Sequence, residues 1–315
     1  MIAMATPERS DAVANTLPFR RTARPSALTD ELVTRYAPLL RFSKAETHFP
    51  IDPATFIRHA RLRRYGWSDD IRDAVWHPRR ACWEAAFADL PASPGSENPD
   101  IAEACRLIQF EARGTGGDVR NRRPCDPQNL WYGRRAGYAL ELAEPQSGDL
   151  RGVPGEAPAL YFDRYSVPTH AGVFDVISYW FFFALSPSAT AHEGDWQSVS
   201  VMIPDDGSEI GVRFDAPRGC LACGFGEAEL VDGTHPVALV EAGAHGLFRS
   251  ASEMDSGAGA HNVLLRSWEL APRRVPTLAW SSFDGAWGRV GAGPRTTGPL
   301  GPLFRRDDLS REKLA

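Results

Sequence analysis

Ile177-Ser-Tyr-Trp-Phe-Phe-Phe-Ala-Leu185, then a short polar loop, then His192-Glu-Gly-Asp-Trp-Gln197 and Ser198-Val-Ser-Val-Met-Ile203 make up the stretch that decides the fold class. Aromatic and β-branched side chains dominate both runs, which reads as two neighbouring strands joined by a loop. Working outward, further short runs share this character: Leu160–Tyr165, Val176–Leu185, Trp196–Ile203, Ile210–Phe214, Val237–Glu241, Val263–Trp268 and Thr277–Trp280. Turn residues such as Pro204-Asp-Asp-Gly207 and Asp232-Gly233 separate them. With no helical segment between these runs, the pattern predicts an antiparallel β-sandwich core from residue 159 to 305. Alternation along Tyr179-Trp-Phe-Phe-Phe183 predicts one face in the core and the other against helices or a cavity.

Upstream the signals are helical. Thr29 is an N-cap candidate with Asp30 and Glu31 in the first turn, and Pro38 ends that helix. Asp52-Pro53 opens a helix towards Arg64, and Asp70–Leu90 reads as a helix broken or kinked at Pro78. Asn98-Pro99 opens another that runs to Arg113, with Ile101, Cys105 and Ile108 on one face. The expected organisation is α+β: a leader at 1–26, a helical subdomain at 27–113 packed on the sandwich, an irregular connection at 114–158, and a tail at 306–315. Within the connection only Ala136–Leu142 reads as a strand.

Composition narrows the function classes. The 315 residues carry a net charge of −5, so no global positive field favours nucleic acid. Lys44 and Lys313 are the only lysines, which leaves few candidates for Schiff-base chemistry. The five cysteines are an odd number and do not form a secreted disulfide framework. Cys220-Leu-Ala-Cys223 lacks the second pair that a zinc ribbon needs. Met1–Ser26 contains no apolar signal core, and the longest apolar run falls far short of the roughly 20 residues of a membrane helix. The expectation is a cytoplasmic chain with no integral membrane segment. There is no P-loop and no dinucleotide fingerprint, so no nucleotide cofactor is expected.

The chemistry-bearing residues lie at the strand mouth. His192, Glu193 and Asp195 offer imidazole and carboxylate donors that suit divalent cations generally, without choosing among Mg, Ca, Mn and Zn. Strand alternation points Glu193, Asp195 and Gln197 one way, with a turn at Gly194 needed to bring His192 to them. The other reading of the same residues is structural: His192 and Asp195 shape the loop and Trp196 fills the core. His245, in Gly243-Ala-His-Gly246, is either a second imidazole converging on His192 or a capped turn residue. His235 precedes Pro236 and reads as a turn residue.

Three further segments complete the pattern: Tyr36-Ala-Pro-Leu-Leu-Arg-Phe42 with Glu46 and His48-Phe-Pro50, Thr234–Gly246, and Trp280 with Phe283–Gly288 and Thr297–Pro302. Together they resemble the vacuolar-protein-sorting-62-like family, whose members carry a Tyr-Trp-Phe-Phe strand, a His-Glu-Gly-Asp-Trp-Glu motif and a Ser-His-Ala-type turn. The resemblance spans residues 32–58 and 160–305. A more distant similarity links the chain to the necrosis-inducing NLP cytolysins, whose Gly-His-Arg-His-Asp-Trp-Glu motif binds a divalent cation on a β-sandwich. The matching positions are His192, Asp195, Trp196 and Gln197. Gln197 stands where both families have glutamate, and Ser186–Ala191 lacks the aspartate that precedes the cytolysin motif. Fewer anionic ligands imply weak Mg or Ca binding by His192, Asp195 and Gln197.

The leading expectation is an enzyme acting on a small, partly apolar substrate by acid–base or weakly metal-assisted hydrolysis, elimination or cyclisation. His192, Glu193, Asp195 and His245 would be catalytic; Tyr179, Trp180, Trp196, Glu46 and His48 would line the substrate. The alternative is a non-catalytic, cation-dependent module that binds lipid headgroups or glycans.

Overall fold

The computed structural model describes residues 30–66, 85–87, 136–169, 172–216, 219–254, 260–283, 286–289 and 298–304. The leader, the helix expected at Asn98–Arg113, the tail, and Cys82, Cys105 and Cys125 lie outside the described residues. In chain order the elements begin with α1 (Asp30–Arg35), β1 (Leu39–Ser43), α2 (Pro53–His59), β2 (Ala60–Gly66), β3 (Ala85–Phe87) and β4 (Ala136–Leu142). The strands β5 (Leu160–Thr169), β6 (Gly172–Ser186), β7 (His192–Pro204), β8 (Gly211–Ala216) and β9 (Gly219–Gly224) follow. The chain then forms β10 (Leu230–Val231), β11 (His235–Val240), β12 (Leu247–Phe248), β13 (His261–Arg266), β14 (Pro272–Arg274) and β15 (Ala286–Trp287).

The strands assemble into three open sheets. A six-stranded sheet runs β14-β5-β6-β7-β8-β9; a five-stranded sheet runs β10-β11-β1-β13 with β12 on β11; a four-stranded sheet runs β15-β4-β2-β3. Their directions are mixed, since β1 lies parallel to β11, β14 to β5 and β15 to β4. The sheet-rich α+β class holds, but the purely antiparallel sandwich does not describe this topology. Parallel partners arise because distant segments, and not hairpin neighbours, complete each sheet.

The composition of β6 follows from its position. Ile177, Tyr179, Phe181 and Phe183 point to a core shared with Leu40, Phe42, Ala238 and Val240 of the five-stranded sheet. Trp180, Phe182 and Ala184 point to the opposite core, shared with Phe56, Leu140, Leu142 and Trp287. A strand covered on both faces reads as a continuous apolar run. The second face therefore meets another sheet together with α2, where helices or a cavity were expected.

The helical subdomain expected at 27–113 is not confirmed. Its described residues hold two short helices and three strands. Asp52 caps α2 as its sequence implies, accepting from the Ala54 amide at 2.8 Å, with Pro53 in the first turn. The helix stops at His59 instead of running towards Arg64, because Ala60 turns extended (φ −99°, ψ 156°). From there the backbone pairs with β4, Ala60 opposite Leu142 through to Gly66 opposite Ala136. That ladder overrides the favourable intrinsic helix propensity of Leu62 and the neighbouring arginines. Ala85–Phe87, inside the helix expected at Asp70–Leu90, is strand β3 against β2; the rest of that span lies outside the described residues. The strand expected at Thr277–Trp280 is replaced by two short 3-10 turns, Val275–Thr277 and Ala279–Ser282. Pro276 has no N–H to give a ladder.

If both faces of β6 are core, truncating either of two adjacent residues should destabilise to a similar degree. Phe181→Ala and Phe182→Ala should each cost about 3–5 kcal/mol, measured by urea denaturation, whereas a one-sided strand would make one of them nearly neutral.

Candidate functional site

Three chain crossings meet at one end of β6 and β7: the loop joining these strands, the loop between β1 and α2, and the turn between β11 and β12. Their junction is built around His245. The turn is closed by Glu241 N–H to Gly246 O and His245 N–H to Glu241 O, each 2.9 Å. His245 itself takes a left-handed conformation (φ +55°), uncommon for a residue with a Cβ. Its ring stacks on Phe183, 3.9 Å between centroids and 5° between planes.

Both ring nitrogens face carboxylates. Nδ1 lies 2.9 Å from Asp195 Oδ2, and Nε2 forms an ion pair with Glu46 Oε1 at 3.6 Å. The imidazole is completely buried. Burial alone would drive it neutral, but the hydrogen bond to Asp195 and the charge of Glu46 prevail and raise its pKa to about 9. Glu46 is held in turn: Oε1 accepts the amides of Thr47 (2.7 Å) and His48 (2.8 Å), and Oε2 accepts that of Gly243 (2.8 Å). For Glu46, burial raises the carboxyl pKa, and His245 with these amides more than reverses it, leaving it lowered. Ser186 Oγ donates to Gly243 O at 3.0 Å, so the β6–β7 loop joins the same knot.

Gly194 decides which side chains enter. Its φ is +63°, and a Cβ there would overlap the Trp287 carbonyl oxygen. This left-handed step breaks the strand alternation. Asp195, paired across the ladder with Phe183, meets His245, and its Oδ1 accepts Gln197 Nε2 at 2.7 Å. Glu193 goes elsewhere: its Oε2 accepts the amides of Leu142 (2.9 Å) and Arg289 (3.1 Å). The expectation that Glu193, Asp195 and Gln197 share one face is thus corrected, and Glu193 is a clamp on the four-stranded sheet. Burial raises its carboxyl pKa against the pull of those two amides.

His192 sits at the rim, half-buried, with Nδ1 3.0 Å from Thr190 O and Nε2 4.0 Å from Asp195 Oδ1. Gln197 and His48 are half-buried, and Thr47 Oγ1 contacts His48 Nδ1 at 3.0 Å. Burial and the nearby positive charge of His245 lower the His48 pKa. Of the residues expected to line a substrate, Glu46 and His48 belong to this end of the molecule. Tyr179 does not: it is buried in the core and donates its hydroxyl to Val33 O at 2.8 Å. Trp180 and Trp196 lie in the opposite core, 6.4 Å apart edge to face. Among the described residues, no group of three or more His, Cys, Asp and Glu is placed to hold a metal ion.

The remaining motifs have local roles. His235 Nδ1 lies 2.8 Å from Ala37 O, and its ring stacks on Trp268 at 3.9 Å. Cys220 and Cys223 are both free thiols on β9, and Arg213 donates to the Cys220 sulfur. Reading the residues singly missed Phe183 as the platform for His245. The glycines flanking Ala244-His245 were the available signal, because a tight turn returns its histidine onto the strand end.

No family model matches this chain, so the vacuolar-protein-sorting-62-like resemblance has no support there, and no curated protein matches either. The neighbours among solved structures are NLP-type necrosis-inducing proteins. A structure described as a toxin fold for microbial attack and plant defense aligns with TM-score 0.33 and 15% identity, covering 50% of this chain and 69% of its own. The non-toxic HaNLP3 protein aligns with TM-score 0.31 and 17% identity over 55% of this chain and 80% of its own. Necrosis and Ethylene inducing Protein 2, from the causal agent of cocoa's Witches Broom disease, gives TM-score 0.29 and 14% identity over 49% and 68%.

The His245 knot has a pH signature. With a folded pKa of about 9 against an ordinary 6.5, its contribution to stability is complete below 6.5 and disappears as pH rises through 9. Glu46, lowered when folded, contributes above its ordinary 4.5 and loses that contribution as pH falls through its folded value. Melting temperature against pH should therefore form a plateau between 4.5 and 6.5 with an alkaline decline, and His245→Gln should abolish the decline. At neutral pH that variant should lose about 3–5 kcal/mol, since it strands buried carboxylates. An alkaline limb unchanged in His245→Gln would show that another group carries it.

Proposed function

We propose that this chain is a non-catalytic binding module that takes the polar headgroup of a glycan or lipid at the rim formed by His192, Asp195, Gln197 and His48. The observation that carries this reading is the complete enclosure of His245. An imidazole stacked on Phe183, with each nitrogen facing a carboxylate, has no open edge for a substrate proton. Acid–base catalysis needs its base within about 2.6–3.2 Å of the proton it removes. The groups left partly exposed, His192, His48 and Gln197, are hydrogen-bonding ones, which suits recognition of hydroxyls and headgroups.

The rim also supports a cation-assisted version. Thr190 O can only accept, so the proton of a neutral His192 sits on Nδ1 and Nε2 presents a lone pair. That lone pair faces Asp195 Oδ1, another acceptor, across 4.0 Å. Two acceptors facing each other suit a shared donor, either an ammonium or hydroxyl of the ligand or a hard cation. Magnesium or calcium would be held by His192 Nε2, Asp195 Oδ1 and the carbonyl oxygen of a turned Gln197 amide. With one anionic ligand the affinity would be low, and the bound ion would supply positive charge for a headgroup oxygen.

The test is binding of the purified chain to a glycan array and to vesicles of defined headgroup composition, with and without calcium. Binding that disappears in His192→Ala, with cooperative unfolding retained, is the expected result. Turnover of a small metabolite that is lost in His192→Ala would establish the enzyme instead. Calorimetric titration with calcium separately checks the ligand set. Gln197→Glu should tighten binding by about tenfold or more, the effect of roughly 1.4 kcal/mol from an added negative ligand. Equal affinity in both proteins would exclude position 197 from the ligand set.

A further inference from the structure

The segment that closes the aromatic core crosses β7 at the one residue that shapes the rim. Trp287 is completely buried beside Phe56, Phe182, Trp196 and Trp280. Its strand β15 pairs with β4, Ala286 opposite Ala139 and Trp287 opposite Leu140. The Trp287 amide donates to Pro299 O at 2.7 Å. Where this segment passes β7, the backbones are in mutual contact. A Cβ on Gly194 would overlap the Trp287 carbonyl, and a Cβ on Gly288 would overlap the Glu193 carbonyl. Both glycines have positive φ, +63° and +133°. Glu193 then fastens the crossing by accepting the Arg289 amide at 3.1 Å and the Leu142 amide at 2.9 Å.

We propose that Ala286–Arg289 is a positioning strap for the rim: its crossing over Gly194 holds the left-handed step that sends Glu193 to one side and Asp195 to the other. Gly288 and Glu193 are positioning residues, acting on His192 and Asp195 through Gly194. Widening the crossing by one methyl at Gly288 forces Gly194 to move, and Gly194 has no side chain through which to absorb the shift. Asp195, the next residue, and His192, two residues before the step, move with it. The seating of Trp287 and occupation of the rim are then linked, and by reciprocity whatever orders one orders the other. That last link rests on the rim being a binding site; the control of rim geometry by the strap does not.

The experiment therefore reads the histidines of the ligand-free full-length chain. Proton–nitrogen spectra of the imidazole rings report tautomer and environment, with His235, stacked on Trp268 and bonded to Ala37 O, as the internal reference. Gly288→Ala should shift the His192 and His245 signals and leave His235 in place, with unfolding still cooperative. Glu193→Gln, which keeps one acceptor oxygen but loses the charge, should shift the same two signals by less. Unchanged His192 and His245 signals in a folded variant, or equal displacement of His235, would overturn the strap. Should Gly288→Ala fail to fold, Glu193→Gln decides by the same criterion. A strap confirmed in this way alongside failed ligand binding would separate the two proposals.

Discussion

Strand β6 is apolar on both faces, and the rest of the structure depends on that constraint. A surface sheet would alternate; this one cannot, so it must be covered twice. One cover is the five-stranded sheet, the other the four-stranded sheet with α2, and each supplies its own cluster of buried side chains. The Phe181 face of the β6–β7 ladder is apolar, whereas the opposite face, beyond Trp180, buries the contact of Ser178 with Ser200 (2.8 Å) and the hydrogen bond that Ser198 donates to Asp215 (2.8 Å). On the Phe181 face a carboxylate enters where the ladder ends, at Phe183 opposite Asp195.

There the protein buries one imidazole between two carboxylates. A lone charge in that position would be costly; the hydrogen bond to Asp195, the ion pair with Glu46 and the amides on Glu46 make it tolerable. The arrangement fixes the relative placement of three loops that share no secondary structure. Replacing the set by apolar side chains of similar volume could leave stability unchanged, but it would remove the directional contacts that tell Glu46, Gly243 and Asp195 where to sit.

Much of this was legible in the sequence, and the failures have physical causes. β4 was read with its ends correct, because Ala136–Leu142 stands alone amid Gly and Pro. The end of α2 was not, since nothing local in Arg61-Leu-Arg-Arg announces a partner strand more than seventy residues later. β1 was quoted only as part of a resemblance, because Leu39–Ser43 is too short to show a period. In the site, His245 and Asp195 were named together, and they are in contact. Glu193 was assigned to the same face by alternation, a rule that Gly194 suspends in a conformation only its packing against Trp287 reveals. Tyr179, Trp180 and Trp196 were read as ligand-facing because an aromatic wall and an aromatic core look alike in one dimension.

The threading of β1 has a consequence for how the chain acquires its fold. β1 lies in the centre of the five-stranded sheet, yet Leu39 pairs with Val237 on one side and Arg266 on the other. During synthesis, therefore, an early segment has neither partner until most of the polypeptide has emerged. The β6–β7 hairpin is local and can form first, but its Phe181 face has no five-stranded sheet to rest on until β11 and β13 arrive. Such non-local closure makes folding slow and leaves an aromatic surface transiently open to other chains. In a cell this protein should depend on chaperones that hold nascent apolar strands, and its yield on expression should fall with temperature well below its melting point.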